Sequence, residues 1–226
     1  MVIGNGLMAK AFVSYLENNG VIIFASGVSN SSISENKLSF QREENLLNEY
    51  LKFEDKKFIY FSTCSISDDS KKTPYIEHKI RMENIIKKNH NNYLIFRLPL
   101  VIGHSDNKNT FFNNIKSKIS LGQTITVFEN LTRYIIDVDD LSNLLPIFIN
   151  SDDKNKVINV CLNNRQLVSS IIQDMEEIMS SNCEKIIKNL QDTNSIVDNF
   201  YFISKLNSKN YNFDSDYNKK VLKKYL

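Results

Sequence analysis

The chain of 226 residues is long enough for one large domain, or for one domain with a smaller lobe. Its net charge is only +2 and its lysines are spread along the chain, which argues against a nucleic-acid partner. The three cysteines and three histidines are too scattered to indicate a zinc site or a disulfide framework. No apolar run approaches the roughly 20 residues that span a bilayer, and no secretion signal is recognised, so we expect a cytoplasmic protein without a membrane span.

The first 105 residues alternate between strand and helix patterns. Apolar runs predict strands at residues 1–6, where the run ends in Gly-Asn-Gly, and at 21–25, 57–62 and 93–98. Apolar side chains at helical spacing predict helices at residues 7–18, 42–51 and 74–88. Such alternation implies parallel strands joined by right-handed crossovers, with helices on both faces of an α/β sheet.

Beyond residue 105 the pattern is less regular. Strands are predicted at residues 124–128, 134–138 and 156–162, and helices at 140–150 and 168–180. We interpret residues 106–226 as a smaller substrate-binding lobe interleaved with the last elements of the core. The tail from Asn207 is polar and weakly patterned, so we expect it to be loosely docked.

The segment Gly4-Asn5-Gly6-Leu7-Met8-Ala9 lies between a predicted strand and a predicted helix and fits the motif G-x-G-x-x-A. In this arrangement bare backbone N–H groups and the helix dipole receive a pyrophosphate. A plain tight turn would also satisfy the pattern, so the motif alone does not establish a dinucleotide site.

Tyr75 and Lys79 are four residues apart, so a helix places the phenol and the ammonium on one face. The ammonium is expected to lower the pKa of the phenol and prepare it for proton transfer. Tyr201 and Lys205 form a second pair with the same spacing. Only the first pair follows a strand that ends in hydroxyl side chains, in the segment Ser62-Thr63-Cys64-Ser65, and we therefore place the site there.

In this order the signals resemble the extended short-chain dehydrogenase/reductases, the NAD-dependent epimerase/dehydratase family of sugar-nucleotide enzymes, over residues 1–170. The matching segments are the Gly motif, Ala25-Ser26-Gly27-Val28-Ser29, Phe61-Ser62-Thr63 with Tyr75 and Lys79, residues 97–103, and Arg133 with Asp137-Val138-Asp139-Asp140. The resemblance implies a Rossmann-like parallel sheet, NAD or NADP as cofactor, and a nucleotide sugar as substrate. It suggests a reductase or epimerase of surface polysaccharide biosynthesis.

The resemblance also implies roles for single residues. Tyr75 would be the general acid/base, Lys79 would bind the nicotinamide ribose, and Thr63 would hydrogen-bond the reacting sugar hydroxyl or ketone. Ser62 and Ser65 are alternatives to Thr63. The residues expected to contact the cofactor are Gly4, Gly6, Ala9, Ser26, Gly27 and Pro99.

Arg133 would pair with the substrate diphosphate, for which a guanidinium is well shaped, or else form a structural pair with Asp137 or Asp139. No metal is implied. The family often pairs through helices such as that of residues 74–88, so a homodimer is open. His78 and His90 have no ligand partners at a suitable spacing, and we expect solvated or capping roles for them.

Two features depart from the family. A complete fold has three strand-helix units between the Gly motif and the catalytic strand, and this sequence has room for one, so its second and third strands are read as deleted. Those strands carry the acid that holds the adenosine ribose, and the first acid after the second predicted strand is Glu35. Dehydratases carry an acidic pair after the catalytic Thr, where this chain has Cys64 and Ser65, so dehydration is disfavoured. A non-catalytic nucleotide-sugar binder or scaffold is the alternative to an enzyme.

Overall fold

The computed structural model describes residues 1–28, 37–68, 73–189 and 196–226. The strands, in chain order, are β1 (Val2–Ile3), β2 (Val21–Phe24), β3 (Lys57–Thr63), β4 (Tyr93–Leu98), β5 (Leu100–Ile102), β6 (Ile125–Phe128), β7 (Thr132–Arg133), β8 (Ile135–Asp137), β9 (Lys156–Asn159), β10 (Gln166–Leu167) and β11 (Lys185–Lys188). The helices are α1 (Leu7–Ala11), α2 (Lys37–Tyr50), α3 (Pro74–Asn89), α4 (Phe111–Ser120), α5 (Val138–Leu144), α6 (Pro146–Ile149), α7 (Val168–Met179), α8 (Phe200–Asn207) and α9 (Tyr217–Tyr225). In the described part of the chain, no helix is both long and apolar enough to cross a membrane.

The first compact unit comprises residues 1–98 and 138–160. Its sheet is parallel, with the order β1-β2-β3-β4-β9 among the described strands. The inner strands β2, β3 and β4 are almost continuously buried, as expected when helices cover both faces of a parallel sheet. This is the Rossmann-like α/β arrangement predicted from the sequence.

The strand order leaves β1 at one edge of the described sheet. β2 follows β1 in the chain and pairs with it directly, with Val2 opposite Ile23. In the classic doubly wound order, the second and third strands lie on the outer side of the first strand. In the described residues that side of β1 carries no further strand.

The core of the first unit lies between the sheet and helices α2 and α3. Leu47 of α2 and Leu51, the residue directly after that helix, are buried four residues apart, as are Met82 and Ile86 of α3. They pack against aromatic and aliphatic side chains of β2, β3 and β4, including Phe58. This packing fixes the positions of α2 and α3 next to the end of β3.

The second compact unit comprises residues 99–137 and 161–226. Its strands form three pairs: β5 with β8 and β6 with β11 are parallel, and β7 with β10 is antiparallel. α7 packs against α4 and α9, and α9 packs against β5 and β8. The sequence analysis did not predict α4, β11 or α8.

The polar tail was expected to be loosely docked, and this expectation is wrong. α9 buries Val221 and Leu222, and its tyrosines reach Asp137 at the end of β8. The Tyr217 hydroxyl oxygen accepts a hydrogen bond from the backbone N–H of Asp137 at 3.0 Å, and the Tyr225 hydroxyl donates to Asp137 Oδ1 at 2.7 Å. Apolar and aromatic residues at helical spacing therefore anchor the tail despite its polar composition.

Helix α2 offers a matched pair of leucines that tests the core. Leu47 is 0% exposed and Leu38 is 82% exposed. We expect Leu47→Ala to lower the free energy of unfolding by about 2–5 kcal/mol, because it removes buried methyl groups and leaves a cavity. Leu38→Ala should change it by less than about 0.5 kcal/mol. Urea denaturation followed by circular dichroism checks this, and similar losses in both variants would contradict the described burial.

Candidate active site

The candidate active site lies in the first unit, where β3 ends and α3 begins. Side chains of a strand alternate between its faces, so Ser62 and Thr63 point in opposite directions. The Ser62 hydroxyl donates to Glu83 Oε1 at 2.7 Å, whereas the Thr63 side chain is hydrogen-bonded to the side chain of Tyr75. Thr63 Oγ1 also accepts from the backbone N–H of Ser65 at 3.2 Å. Thr63 is thus bonded to Tyr75, and Ser62 is bonded to Glu83, which lies further along α3.

The start of α3 positions Tyr75. Thr73 caps this helix, its Oγ1 accepting from the backbone N–H of Ile76 at 3.3 Å, and proline occupies the first turn. Tyr75 therefore lies in the first turn, and Lys79 follows one turn later. Lys79 Nζ is 5.9 Å from the centre of the Tyr75 ring.

The second tyrosine-lysine pair has the same internal geometry. On α8, Lys205 Nζ is also 5.9 Å from the centre of the Tyr201 ring. Tyr201 is exposed, whereas Tyr75 is half-buried and bonded to Thr63. The surroundings rather than the pair itself distinguish the two positions.

A buried carboxylate on α2, that of Glu43, holds Lys79. Glu43 is 0% exposed and Lys79 is 2% exposed, and their charged atoms are 3.0 Å apart. The other partners of the carboxylate are the Tyr60 hydroxyl at 2.6 Å, the Val28 N–H at 2.6 Å and His78 Nε2 at 3.0 Å. Burial alone raises the pKa of Glu43, but these four partners, led by Lys79, outweigh it and bring the pKa to about 2.

The sequence analysis missed this cluster. His78 was expected to be solvated or capping, which is wrong: it is buried, bonded to Glu43, and stacked on Phe40 with ring centres 4.2 Å apart. His90 does serve as the C-cap residue of α3. A usable signal was present, because Glu43 lies one helical turn before Leu47 and therefore on the buried face of α2.

Two glycines lie so close to neighbouring atoms that a side chain would not fit without a shift. A Cβ on Gly27 would lie 2.7 Å from Lys79 Nζ and 3.1 Å from Glu43 Oε1, so the backbone of Gly27 covers the ion pair. Gly4 has φ +128°, and a Cβ there would lie 2.6 Å from the carbonyl oxygen of Ala25. Gly4 thus lets the turn after β1 pack against the segment after β2.

The other residues predicted to contact a cofactor differ in their surroundings. Gly6 is exposed, and a Cβ there would meet nothing within 4 Å. Ala9 is buried on α1. Ser26 Oγ accepts from Arg42 Nη1 at 3.0 Å, and the Ser26 carbonyl accepts from Arg42 Nη2 at 2.8 Å. Arg42 therefore fixes the segment that follows β2, a contact that the sequence did not predict.

Four influences act on the pKa of the Tyr75 hydroxyl. Burial raises the pKa of its hydroxyl, Lys79 lowers it, Glu43 raises it, and the hydrogen bond to Thr63 lowers it. The net direction is upward. Lys79 therefore lowers the pKa of this phenol as predicted from the sequence, but burial and Glu43 outweigh the ammonium.

Comparison with known proteins gives the family. Residues 5–161, more than half of the chain, match the model of the NAD dependent epimerase/dehydratase family. The chain belongs to this family. No curated protein matches the sequence significantly.

Solved structures of epimerases and dehydratases share the fold. The UDP-N-acetylglucosamine 4-epimerase of Methanobrevibacter ruminantium M1 has 17% identity and a TM-score of 0.70, covering 99% of this chain and 80% of that one. The dTDP-glucose 4,6-dehydratase of Bacillus anthracis has 11% identity and a TM-score of 0.67, covering 98% of this chain and 76% of that one. The enzyme WbmH of Bordetella bronchiseptica has 16% identity and a TM-score of 0.69, covering 97% of this chain and 79% of that one. At these identities the likeness shows the fold alone.

The described residues fit part of the dinucleotide that the family name implies. The open space at Gly6, which a Cβ would enter without contact, leaves room for a pyrophosphate close to the backbone. At the nicotinamide end, the Tyr75 hydroxyl, bonded to Thr63, would be the group suited to proton transfer. On the adenosine side, β2 is followed by Ala25-Ser26-Gly27-Val28, which contains no acid. Ser29 and Glu35 lie outside the described residues.

Two predicted site residues belong to the second unit. Pro99 lies between β4 and β5, and Arg133 lies on β7. Arg133 Nη1 donates to the carbonyl of Thr132 at 2.9 Å, and Arg165 Nε donates to Thr132 Oγ1 at 2.8 Å. The proposed contacts of Pro99 with the nicotinamide and of Arg133 with the diphosphate stay predictions.

The close fit of Gly27 over the ion pair can be tested by adding a methyl group. We expect Gly27→Ala to lower the free energy of unfolding by about 1–3 kcal/mol, because the methyl displaces the Lys79 ammonium from Glu43. Gly6→Ala is the control, since its Cβ meets nothing within 4 Å. Urea denaturation measures both, and equal stability of the two variants would contradict the described contact.

The depressed pKa of Glu43 predicts a dependence of stability on pH. The pKa is about 2 in the folded state against an ordinary value of 4.5, so the stabilising contribution of the ionised carboxylate is complete above about pH 5 and is lost as the pH falls towards 2. Between these limits, the free energy of unfolding of the wild type should fall by up to about 3 kcal/mol more than that of Glu43→Gln. Urea denaturation at a series of pH values measures this difference.

Glu44→Gln is the control for this titration. Glu44 forms a surface ion pair with Arg81 at 2.7 Å, and the variant keeps Glu43. It should therefore lose stability in acid as steeply as the wild type. If Glu43→Gln shows the same slope as the wild type, Glu43 does not provide the acid-sensitive stabilisation.

Proposed function

We propose that the protein is an NAD(P)-dependent reductase or epimerase that acts on a nucleotide-activated sugar. The observation that supports this most directly is the hydrogen bond between Thr63 and Tyr75 at the carboxyl end of β3, with Lys79 one helical turn beyond Tyr75. Sites of parallel α/β sheets lie at this end of the strands. Membership of the epimerase/dehydratase family supports the class of reaction.

The substrate class comes from the fold relatives and is an analogy. The M. ruminantium epimerase was solved with UDP-N-acetylmuramic acid, and the B. anthracis and B. bronchiseptica enzymes were solved with NAD or NAD⁺. A nucleotide sugar and a nicotinamide cofactor are the corresponding ligands proposed for this chain. A role in surface polysaccharide biosynthesis, a cytoplasmic location and a homodimer remain predictions from the sequence.

In the proposed reaction, Tyr75 exchanges a proton with the reacting oxygen of the sugar. Thr63 hydrogen-bonds the same oxygen and keeps it near the phenol, and Lys79 adds a positive charge one turn away. The turn that contains Gly4 and Gly6, with the start of α1 that carries Ala9, would hold the pyrophosphate of a nicotinamide cofactor, which would supply hydride chemistry at the carbon that carries this oxygen.

A second function is favoured by the state of Lys79. Its ammonium is buried and already bonded to Glu43 at 3.0 Å and to the Tyr60 hydroxyl at 3.0 Å, so a cofactor ribose would compete with these partners. Among the described residues, β1 also lies at the edge of the sheet, without the two strands that lie beyond it in the classic order. Both features favour a non-catalytic nucleotide-sugar binder or scaffold that holds the cofactor weakly.

Cofactor binding and turnover separate the two functions. For an enzyme, calorimetric titration with NADH or NADPH should show binding of micromolar strength, about −8 kcal/mol. UDP-N-acetylglucosamine, UDP-glucuronic acid and their 4-keto forms are the substrate probes, with products followed by NMR. We expect Tyr75→Phe to reduce turnover by about 100-fold or more, because it removes the proton-transfer group, and to leave cofactor binding intact.

Tyr201→Phe is the matched control, since it removes a hydroxyl from the other tyrosine-lysine pair, and it should retain turnover. Heat with a nucleotide sugar but with neither cofactor would favour the binder. Unchanged turnover in Tyr75→Phe would rule out Tyr75 as the acid/base.

A further inference from the structure

The charge of Lys79 is balanced inside the protein. Glu43 Oε1 lies 3.0 Å from Lys79 Nζ, and both side chains are almost completely buried. Two opposite charges at this separation act at a distance largely as a dipole, so the field of the ammonium at a nearby group is reduced. The Tyr75 ring, whose centre is 5.9 Å from Nζ, is such a group.

The geometry fixes this balance from several sides. Tyr60 donates to Glu43 Oε1 at 2.6 Å and accepts from Lys79 Nζ at 3.0 Å, so its hydroxyl bridges the pair. Gly27 lies so close that a Cβ would be 2.7 Å from Nζ. The ammonium is therefore held by Glu43 and the Tyr60 hydroxyl, with the backbone of Gly27 close to it.

We propose that Glu43 is a positioning residue that holds the Lys79 ammonium in place and offsets its charge, so that Tyr75 serves as a proton donor in the reduction of a ketone. This proposal rests on the proposed function and adds a direction to it. In the reaction, the carbonyl carbon of a nucleotide-activated keto-sugar takes a hydride from NADH or NADPH. Its oxygen takes the proton of Tyr75, and the resulting phenolate takes a proton from water.

The charged and titratable groups around Tyr75 agree with this direction. Lys79 on α3 favours the phenolate, whereas Glu43 on α2 opposes it, and the buried Tyr60 on β3 also interacts with Tyr75. His78 contacts the far oxygen of Glu43 and keeps that carboxylate in position. Burial and Glu43 raise the pKa of Tyr75, and a phenol that keeps its proton near neutral pH can donate it to a carbonyl oxygen.

The ionisation of Tyr75 tests the proposal without cofactor or substrate. The chain has ten tyrosines. With ¹³C at tyrosine Cζ, each gives an NMR signal that shifts on ionisation, and the Tyr75 signal is the one lost in Tyr75→Phe. We expect the Tyr75 signal of the wild type to be unshifted at neutral pH, and its midpoint to fall by about one pH unit in Glu43→Gln, because Lys79 is then unopposed.

Glu44→Gln is the control and should leave the Tyr75 midpoint unchanged. A midpoint that is equal in the Glu43→Gln and Glu44→Gln variants, or a wild-type signal already shifted at neutral pH, would overturn the proposal. A merely structural role of Glu43 would alter stability and leave the midpoint where it is.

Glu43→Gln leaves the Lys79 ammonium buried without its carboxylate, which destabilises the fold. A second comparison, in which Lys79 is also replaced, applies if that variant does not fold. Lys79→Met should raise the Tyr75 midpoint, and adding Glu43→Gln to it should lower the midpoint again. No difference between these two variants would also overturn the proposal. Because neither titration contains a cofactor, their outcome is separate from the calorimetric test of the proposed function.

Discussion

The first unit depends on the burial of one carboxylate. Glu43 lies on α2 and takes its partners from the segment after β2, from β3 and from α3. Burial of a carboxylate costs free energy unless the group is paired and fully hydrogen-bonded, and loss of its partner leaves a buried charge uncompensated. The positions of these consecutive elements at the candidate site are therefore coupled through a single side chain, beyond the apolar packing of the helices on the sheet.

A second buried carboxylate lies on the same face of β3 as Glu43, because Ser62, which it binds, is two residues from Tyr60 on the strand. Glu83 on α3 accepts two hydrogen bonds from Arg97 on β4, at 2.9 and 2.8 Å, and one from Ser62. Burial raises the pKa of Glu83, but the bonds and charge of Arg97 outweigh this and lower it. Because β3 side chains alternate, Ser62 joins this structural network and Thr63 faces Tyr75. The alternation thus separates Ser62, which is bonded to Glu83, from Thr63, which is bonded to Tyr75.

The sequence predicted the local features of the first unit more fully than its interactions. Apolar runs and helical spacing located β4 at residues 93–98 and α3 within one residue of its observed end. These patterns are local and each is sufficient for one element. The role of Glu43 was not predicted, since its partners are 15 to 36 residues away in the sequence. In the second unit α4 was missed although Phe112, Ile115 and Ile119 have helical spacing, because the helix is only ten residues long.

Stability alone gives little reason for the pair of Glu43 and Lys79. Replacement of a buried ion pair by apolar residues of similar volume is often neutral or stabilising. A lysine as buried as Lys79, however, needs a partner whenever it is charged. Glu43 provides that partner from within the fold, and the same carboxylate opposes ionisation of Tyr75.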